Sequence, residues 1–148
     1  MFDQDFFIYF KKLNPQAIVP SRATELSSGL DLCSLSKADV SYGSVTEIHT
    51  GLALELDHGW EGQVRPRSGL ARKHGITVVN TPGTVDSDYR GELIVLLTKL
   101  TPGNYTISPK ERIAQLVISQ VAYPKIIVLN ELSETDRGVN GFGSSGSF

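Results

Sequence analysis

The most regular signal along the chain is alternation. Leu52, Leu54 and Leu56 alternate with Ala53, Glu55 and Asp57, the period of a strand that buries one face. After a turn at His58-Gly59 the sequence Gln63-Val64-Arg65 continues in extended style, and Ile76-Thr77-Val78-Val79 is β-branched throughout. Leu93 to Leu97 is apolar without a break, which predicts a strand covered on both faces. Ile113 to Val121 and Ile126 to Leu129 predict two more strands, separated by Tyr123-Pro124. Turn signals recur between these runs, at Asn14-Pro15, Tyr42-Gly43, Pro82-Gly83, Pro102-Gly103 and Ser108-Pro109. Short strands between frequent turns indicate an all-β sandwich, barrel or jelly roll. There are no internal repeats and no interdomain linker.

One short helix interrupts this pattern. In Arg67-Ser68-Gly69-Leu70-Ala71-Arg72-Lys73-His74-Gly75, Ser68 is the expected N-cap and Gly75 the expected stop. About two turns of helix require support from packing. The start of this helix gathers free backbone N–H groups, the Ser68 hydroxyl and the Arg67 guanidinium, a combination suited to an anion. The stretch from Asn80 to Leu93 sets Asp86, Asp88, Tyr89 and Asn80 among turn-forming residues just before an apolar run. Polar groups on a turn carried by a rigid β scaffold are candidates for binding and catalysis.

Composition narrows the function classes. A chain of 148 residues with 40% hydrophobic content is expected to form one domain with a real core. A formal charge of -2 and a pI near 5.9 argue against a nucleic-acid binder, which needs a basic face. The single cysteine, Cys33, has no partner for an internal disulfide and suits a reducing compartment. The apolar start from Phe2 to Phe10 is broken by Asp3 and Asp5, unlike a signal peptide or a membrane span. A cytoplasmic protein is expected, with no membrane and no nucleic acid among its partners. His49, His58 and His74 are scattered without metal-ligand spacing, and Trp60 is expected to pack rather than bind.

Residues 136–148 form a Gly/Ser-rich arm around Phe142, following a β domain expected over residues 1–135. Such a segment buries too little surface to order itself. Its glycines and the aromatic ring suit a lid that wraps phosphates and covers an apolar ligand face. It lacks the Lys and following helix of a P-loop.

Five ordered segments resemble the trimeric all-β dUTPases (deoxyuridine 5′-triphosphate nucleotidohydrolases). They are Ser28-Gly29-Leu30-Asp31-Leu32, Pro66-Arg67-Ser68-Gly69-Leu70-Ala71, the run from Gly83 to Glu92, Glu111-Arg112-Ile113-Ala114-Gln115-Leu116, and Arg137-Gly138 to Gly146. Lys110 and Asn140 depart from the family pattern, each standing where a Gly is usual.

The resemblance implies a distorted jelly-roll or β-barrel that assembles as a homotrimer with sites shared between subunits. The implied reaction is hydrolysis of dUTP to dUMP and pyrophosphate, supplying dUMP for thymidylate synthesis and keeping uracil out of DNA. Asp86 is the implied general base, and Tyr89 lies flat against the deoxyribose. Asn80 and the backbone of Gly83, Thr84 and Val85 read uracil. Arg67, Ser68 and Gly69 bind phosphates, and Gln115 contacts the uracil site through water. Arg137 grips the γ-phosphate, Phe142 covers the uracil, and Gly143 and Ser144 lie near the phosphates. Asp31 is the implied holder of Mg²⁺ through water. Two alternatives stand beside this reading: a dCTP deaminase-related enzyme, and a non-catalytic nucleotide sensor or regulator of the same fold.

Overall fold

The computed structural model describes residues 6–141. Eleven strands and one short helix make up the regular structure of these residues. In chain order they are β1 (Tyr9–Lys12), β2 (Leu30–Cys33), β3 (Ala38–Ser41), β4 (Thr46–His49), β5 (Leu52–Glu55), β6 (Trp60–Pro66), α1 (Ser68–His74), β7 (Ile76–Val78), β8 (Gly83–Val85), β9 (Ile94–Lys99), β10 (Asn104–Ile107) and β11 (Arg112–Gln120). The architecture is all-β, of the jelly-roll type. No helix among the described residues is long and apolar enough to cross a membrane.

The largest sheet runs β2-β11-β6-β8, every pairing antiparallel. Directly opposed residues share a face, so the register sorts the sheet into two surfaces. Val64 lies opposite Leu116 on one side and Gly83 on the other, and this face belongs to the core. Gln115 lies opposite both Asp31 and Arg65, and that row forms the polar face. The remaining pairs are β1-β5 and β10-β3, and β9 is central in the sheet β4-β9-β7. Fully buried Leu32, Val40, Ile48, Leu52, Ile107 and Ile113 bring all four sheets into one core. Their removal from water is the main force holding such short strands together.

Three expectations are corrected. Leu93–Leu97 is not covered on both faces: in β9, Val95 and Leu97 are buried while Ile94 is exposed and Leu96 half-buried. Among the described residues that second face is only partly covered. Ile126–Leu129 forms no strand and pairs with nothing among the described residues. Its side chains are solvent-exposed, Ile126 and Val128 at 92%, so their β-branched pattern has no partner strand among the described residues. Ser68 is not the helix cap. Arg67 occupies the N-cap with extended backbone and no side-chain capping bond, and Ser68 is the first helical residue.

The other helix end meets its expectation. Gly75 takes the left-handed conformation at φ 65°, and its N–H donates to the carbonyls of Ala71 and Leu70. A Cβ there would lie 2.8 Å from the Thr101 side chain, so both backbone angle and space require glycine. The Thr101 hydroxyl donates to the His74 carbonyl at 3.1 Å, and buried Lys99 donates to the Thr101 carbonyl at 3.0 Å. These bonds tie α1 to the end of β9. Trp60 packs as expected, its ring stacked on Phe6 at 4.3 Å. His58 stacks on Tyr123 and His74 lies against Tyr105.

Glu92 anchors the far end of the loop that follows β8. Its Oε1 accepts from the Gly51 N–H at 2.8 Å, and His49 Nδ1 lies 2.9 Å from Oε2. Leu93 N–H donates to the Leu52 carbonyl at 2.7 Å, and the Thr50 hydroxyl donates to the Leu93 carbonyl at 2.7 Å. Burial alone would raise the Glu92 pKa, but the hydrogen bonds from His49 and Gly51 outweigh it and hold the value below the ordinary 4.5. A carboxyl whose folded pKa is depressed contributes stability above its unfolded pKa and loses it as pH falls through the folded value. Glu92→Gln is therefore expected to melt below the parent at pH 7, with the gap closing as the pH falls through and below the ordinary carboxylate range. Thermal melts across that range at fixed protein concentration check this, and a gap independent of pH would contradict it.

Lys110 carries a second prediction. It has φ 67°, the one non-glycine residue with positive φ among the described residues. The departure noted in the sequence is thus a backbone matter, since this site favours glycine. The left-handed conformation costs a side-chain-bearing residue roughly 1–2 kcal/mol. Glycine gives back roughly 0.5–1 kcal/mol through its freer unfolded chain. Lys110→Gly should then stabilise by about 0.5–1 kcal/mol and raise Tm by about 1–4 °C. A lowered Tm would contradict this assignment.

Candidate active site

Two groups of polar residues stand on the large sheet. The first surrounds the β8 hairpin. A cavity of about 190 Å³ is lined by Thr84, Val85, Asp86 and Tyr89, closed by Val64 from β6 and by Glu92, Leu93 and Ile94. Gly83 and Val85 are buried while Thr84 and Asp86 face solvent, as strand alternation dictates. Tyr89 N–H donates to the Asp86 carbonyl at 3.1 Å, and the phenol donates to the Glu92 carbonyl at 3.0 Å. The ring thereby folds back over Gly91, where any Cβ would overlap it. Asn80 approaches the same strand from its other end. Its Nδ2 lies 3.2 Å from where a Cβ on Gly83 would be.

The second group lies at the opposite end of β6. Asp31 accepts two guanidinium groups, Arg67 Nε at 3.2 Å on Oδ1 and Arg112 Nη1 at 3.1 Å on Oδ2. Arg67 Nη1 also donates to the Arg112 carbonyl at 2.9 Å. Ser68 and Gly69 follow directly, ahead of the first helical bond from Ala71 N–H to the Arg67 carbonyl. Their own N–H groups therefore fall outside the helical ladder. Gln115 Nε2 donates to the Pro66 carbonyl at 2.9 Å. Its place in the row between Asp31 and Arg65 groups it with Arg67 rather than with the hairpin. Cys33 is buried beside this group. Burial and the Asp31 charge push its thiol above the ordinary 9.0, against the opposing pull of Arg112 and Arg67, so at neutral pH it is a small apolar side chain.

The structure therefore brings together Asn80, Gly83, Thr84, Val85, Asp86 and Tyr89, and separately Asp31, Arg67, Ser68, Gly69 and Gln115. It does not bring the two groups together. Gly62 pairs with Val85, so Asp86 extends the hairpin strand toward the level of Glu61. Arg67 lies six residues further along, about 20 Å at strand spacing. Arg67 is also turned toward β2, which lies three strands, about 14 Å, from β8. Arg137 joins neither group. Its Nε donates to the Asn140 carbonyl at 2.8 Å in an exposed turn. Phe142, Gly143 and Ser144 lie outside the described residues.

Arg112 and Glu111 belong to a segment already singled out, yet strand alternation gave them no role. The register shifts between Arg112 and Ala114, and such a bulge breaks the period-2 rule that would have sorted their faces. Asp31 also offers little to a bare metal ion. Both its oxygens are in ion pairs, and no group of three His, Cys, Asp or Glu side chains gathers among the described residues. A lone carboxylate with spare lone pairs fits an ion held through water and substrate phosphates.

The dUTPase family model matches residues 15–146. The deoxyuridine 5'-triphosphate nucleotidohydrolase of Nautilia profundicola is 52% identical over 136 residues, covering 92% of this chain and 96% of that protein. The protein of the same name from Wolinella succinogenes is 47% identical over 135 residues, covering 91% of each. A Staphylococcus bacteriophage 80alpha dUTPase mutant with dUpNHpp superposes with a TM-score of 0.88 at 26% identity, covering 95% of this chain and 98% of that one. These relatives lend no support to the deaminase or sensor alternatives. A family match over nearly the whole chain, on an all-β fold of the same shape, makes it a member of the dUTPase family, an enzyme that hydrolyses dUTP to dUMP.

Proposed function

We propose that each catalytic site is assembled between subunits of a homotrimer, the hairpin of one chain facing the Arg67 group of another. The observation that carries this reading is the spacing of about 20 Å along β6. A base must reach the attacking water directly or through one more water, within hydrogen-bond distances. Asp86 and Arg67 of one chain do not meet on one α-phosphate at such a separation. The exposed apolar stretch at Ile126–Leu129 and the exposed Ile94 support association, since bare apolar surface of this kind marks an interface.

In that site, Asp86 accepts a proton from the water that attacks the α-phosphorus. The new P–O bond forms as the bond to the bridging oxygen breaks, and pyrophosphate leaves. Asn80 and the backbone of Gly83, Thr84 and Val85 pair with the uracil edge. Cytosine would leave those groups unpaired, the strong form of discrimination. Tyr89, braced by its bond to the Glu92 carbonyl, lies against the sugar and leaves no room for a ribose 2′-hydroxyl. Arg67, Ser68 and Gly69 hold phosphates, and Gln115 from the same chain contacts the uracil site through water. Arg137, Phe142, Gly143 and Ser144 close over the nucleotide from the arm at residues 136–148.

Mg²⁺ is the proposed ion, held by the substrate phosphates with Asp31 bound through water. When bound it offsets phosphate charge. The solved dUTPase of phage phi11, named for a structural Mg(II) ion, matches with a TM-score of 0.79 at 21% identity, covering 84% of this chain and 97% of that one. It bears on the fold alone. A cytoplasmic setting completes the proposal.

Asp86→Asn is nearly isosteric and should keep nucleotide binding while turnover falls roughly 10²- to 10⁴-fold, the usual worth of a general base. Steady-state pyrophosphate release from dUTP, with nucleotide affinity measured beside it, checks this. Near-parental turnover in a folded variant would remove Asp86 from the mechanism.

A further inference from the structure

Asp31 is shared by two arginines of different standing. Its side chain is 17% exposed, and those of Arg67 and Arg112 are 27% and 54% exposed. The Asp31–Arg67 pair taken alone is neutral, and a neutral pair offers a polyphosphate no net attraction. Arg112 changes the sum to one positive charge. It is also fixed rather than loose. The bulge at the start of β11 sets its direction, and its carbonyl accepts from Arg67 Nη1. The preceding Glu111 is clamped from both oxygens, by the Tyr105 hydroxyl at 2.7 Å and the Ser108 N–H at 2.8 Å. Ser34 N–H donates to the Glu111 carbonyl at 2.8 Å, joining this turn to the end of β2.

We propose that Arg112 is a positioning residue for polyphosphate binding: it compensates Asp31 so that Arg67 can turn its charge to the substrate. This rests on the reading of Arg67 as a phosphate ligand. When Arg67 engages phosphate, its share of the Asp31 interaction weakens. Without Arg112 the uncompensated Asp31 carboxylate would then repel the incoming anion. The effect scales with phosphate charge, so it separates a triphosphate from a monophosphate. Because Arg112 is half in solvent, salt screens the effect.

The test is equilibrium binding of non-hydrolysable α,β-imido-dUTP and of dUMP to the assembled protein, with metal chelated, at low and high ionic strength. Arg112→Gln should weaken the imido nucleotide about 5- to 10-fold at low salt and less at high salt, with dUMP changed by less than about twofold. Arg112→Lys, which keeps the charge, should recover most of the loss. Arg65→Gln removes the same charge from the same sheet face, where Arg65 is bonded to Gln63 rather than Asp31, and should change neither ligand by more than about twofold. Equal weakening of both nucleotides, no weakening, or an equal effect from Arg65→Gln would overturn the proposal. Should Arg112→Gln fail to fold, Arg112→Met keeps the aliphatic stem and is read the same way. Arg67→Gln separates the two levels. If it leaves imido-dUTP affinity intact, the phosphate reading of Arg67 fails. If it weakens binding while Arg112→Gln does not, only the role of Arg112 fails.

Discussion

The doubly paired strand β6 is the constraint on which the rest of this molecule depends. It is hydrogen-bonded to β11 along its whole length and to β8 over Gly62–Val64. An antiparallel ladder on both sides leaves no freedom of register once one face is buried. Everything attached to β6 is consequently held at fixed separations. At one end stands the hairpin with Asp86 and Tyr89, and at the other stand Arg67 and the start of α1. The same rigidity that gives each group its geometry also keeps them apart within one chain.

Each group is then braced by bonds made far away in sequence. Glu92 ties the hairpin to His49 and Gly51, and Thr101 ties α1 to the end of β9. Asp31 draws Arg67 and Arg112 onto one carboxylate. No buried side-chain nitrogen or oxygen among the described residues lacks a partner, the condition for polar groups to hold position in a low-dielectric interior. The polar groups thus sit on the sheet's open face while the apolar face below carries the stability.

Much of this was legible in the sequence, because its signals were local. The alternation of Leu52, Leu54 and Leu56 reports a half-buried strand, and Gly75 reports the end of α1. The turn residues around Pro82-Gly83 mark the hairpin that carries Asp86. What escaped was set by distant contacts. An apolar run from Leu93 to Leu97 looks the same whether its second face meets its own chain or a neighbour. The β-branched residues at Ile126–Leu129 look like a strand whether or not a partner is present. Ser68 has the better capping side chain, yet Arg67 takes the cap position because β6 runs extended to Pro66. Arg112 was hidden by a bulge, and its bond to Asp31 spans 81 positions. Lys110 was visible as an odd residue, and only its φ of 67° explains why.

A site divided between chains is tested most directly by mixing two disabled proteins. Asp86→Asn lacks the base and Arg67→Gln lacks a phosphate ligand, and each alone should be nearly inactive. Under the proposed trimeric assembly, unfolding them together and reassembling equal amounts gives particles in which some interfaces pair an intact hairpin with an intact Arg67 group. Random assembly places both intact groups in about one site in four, so dUTP hydrolysis should return to about a quarter of the parental rate. If both groups served from the same chain, no mixture would contain an intact site. Activity no greater than that of the separate variants, in a mixture shown to have exchanged subunits, would contradict the shared site.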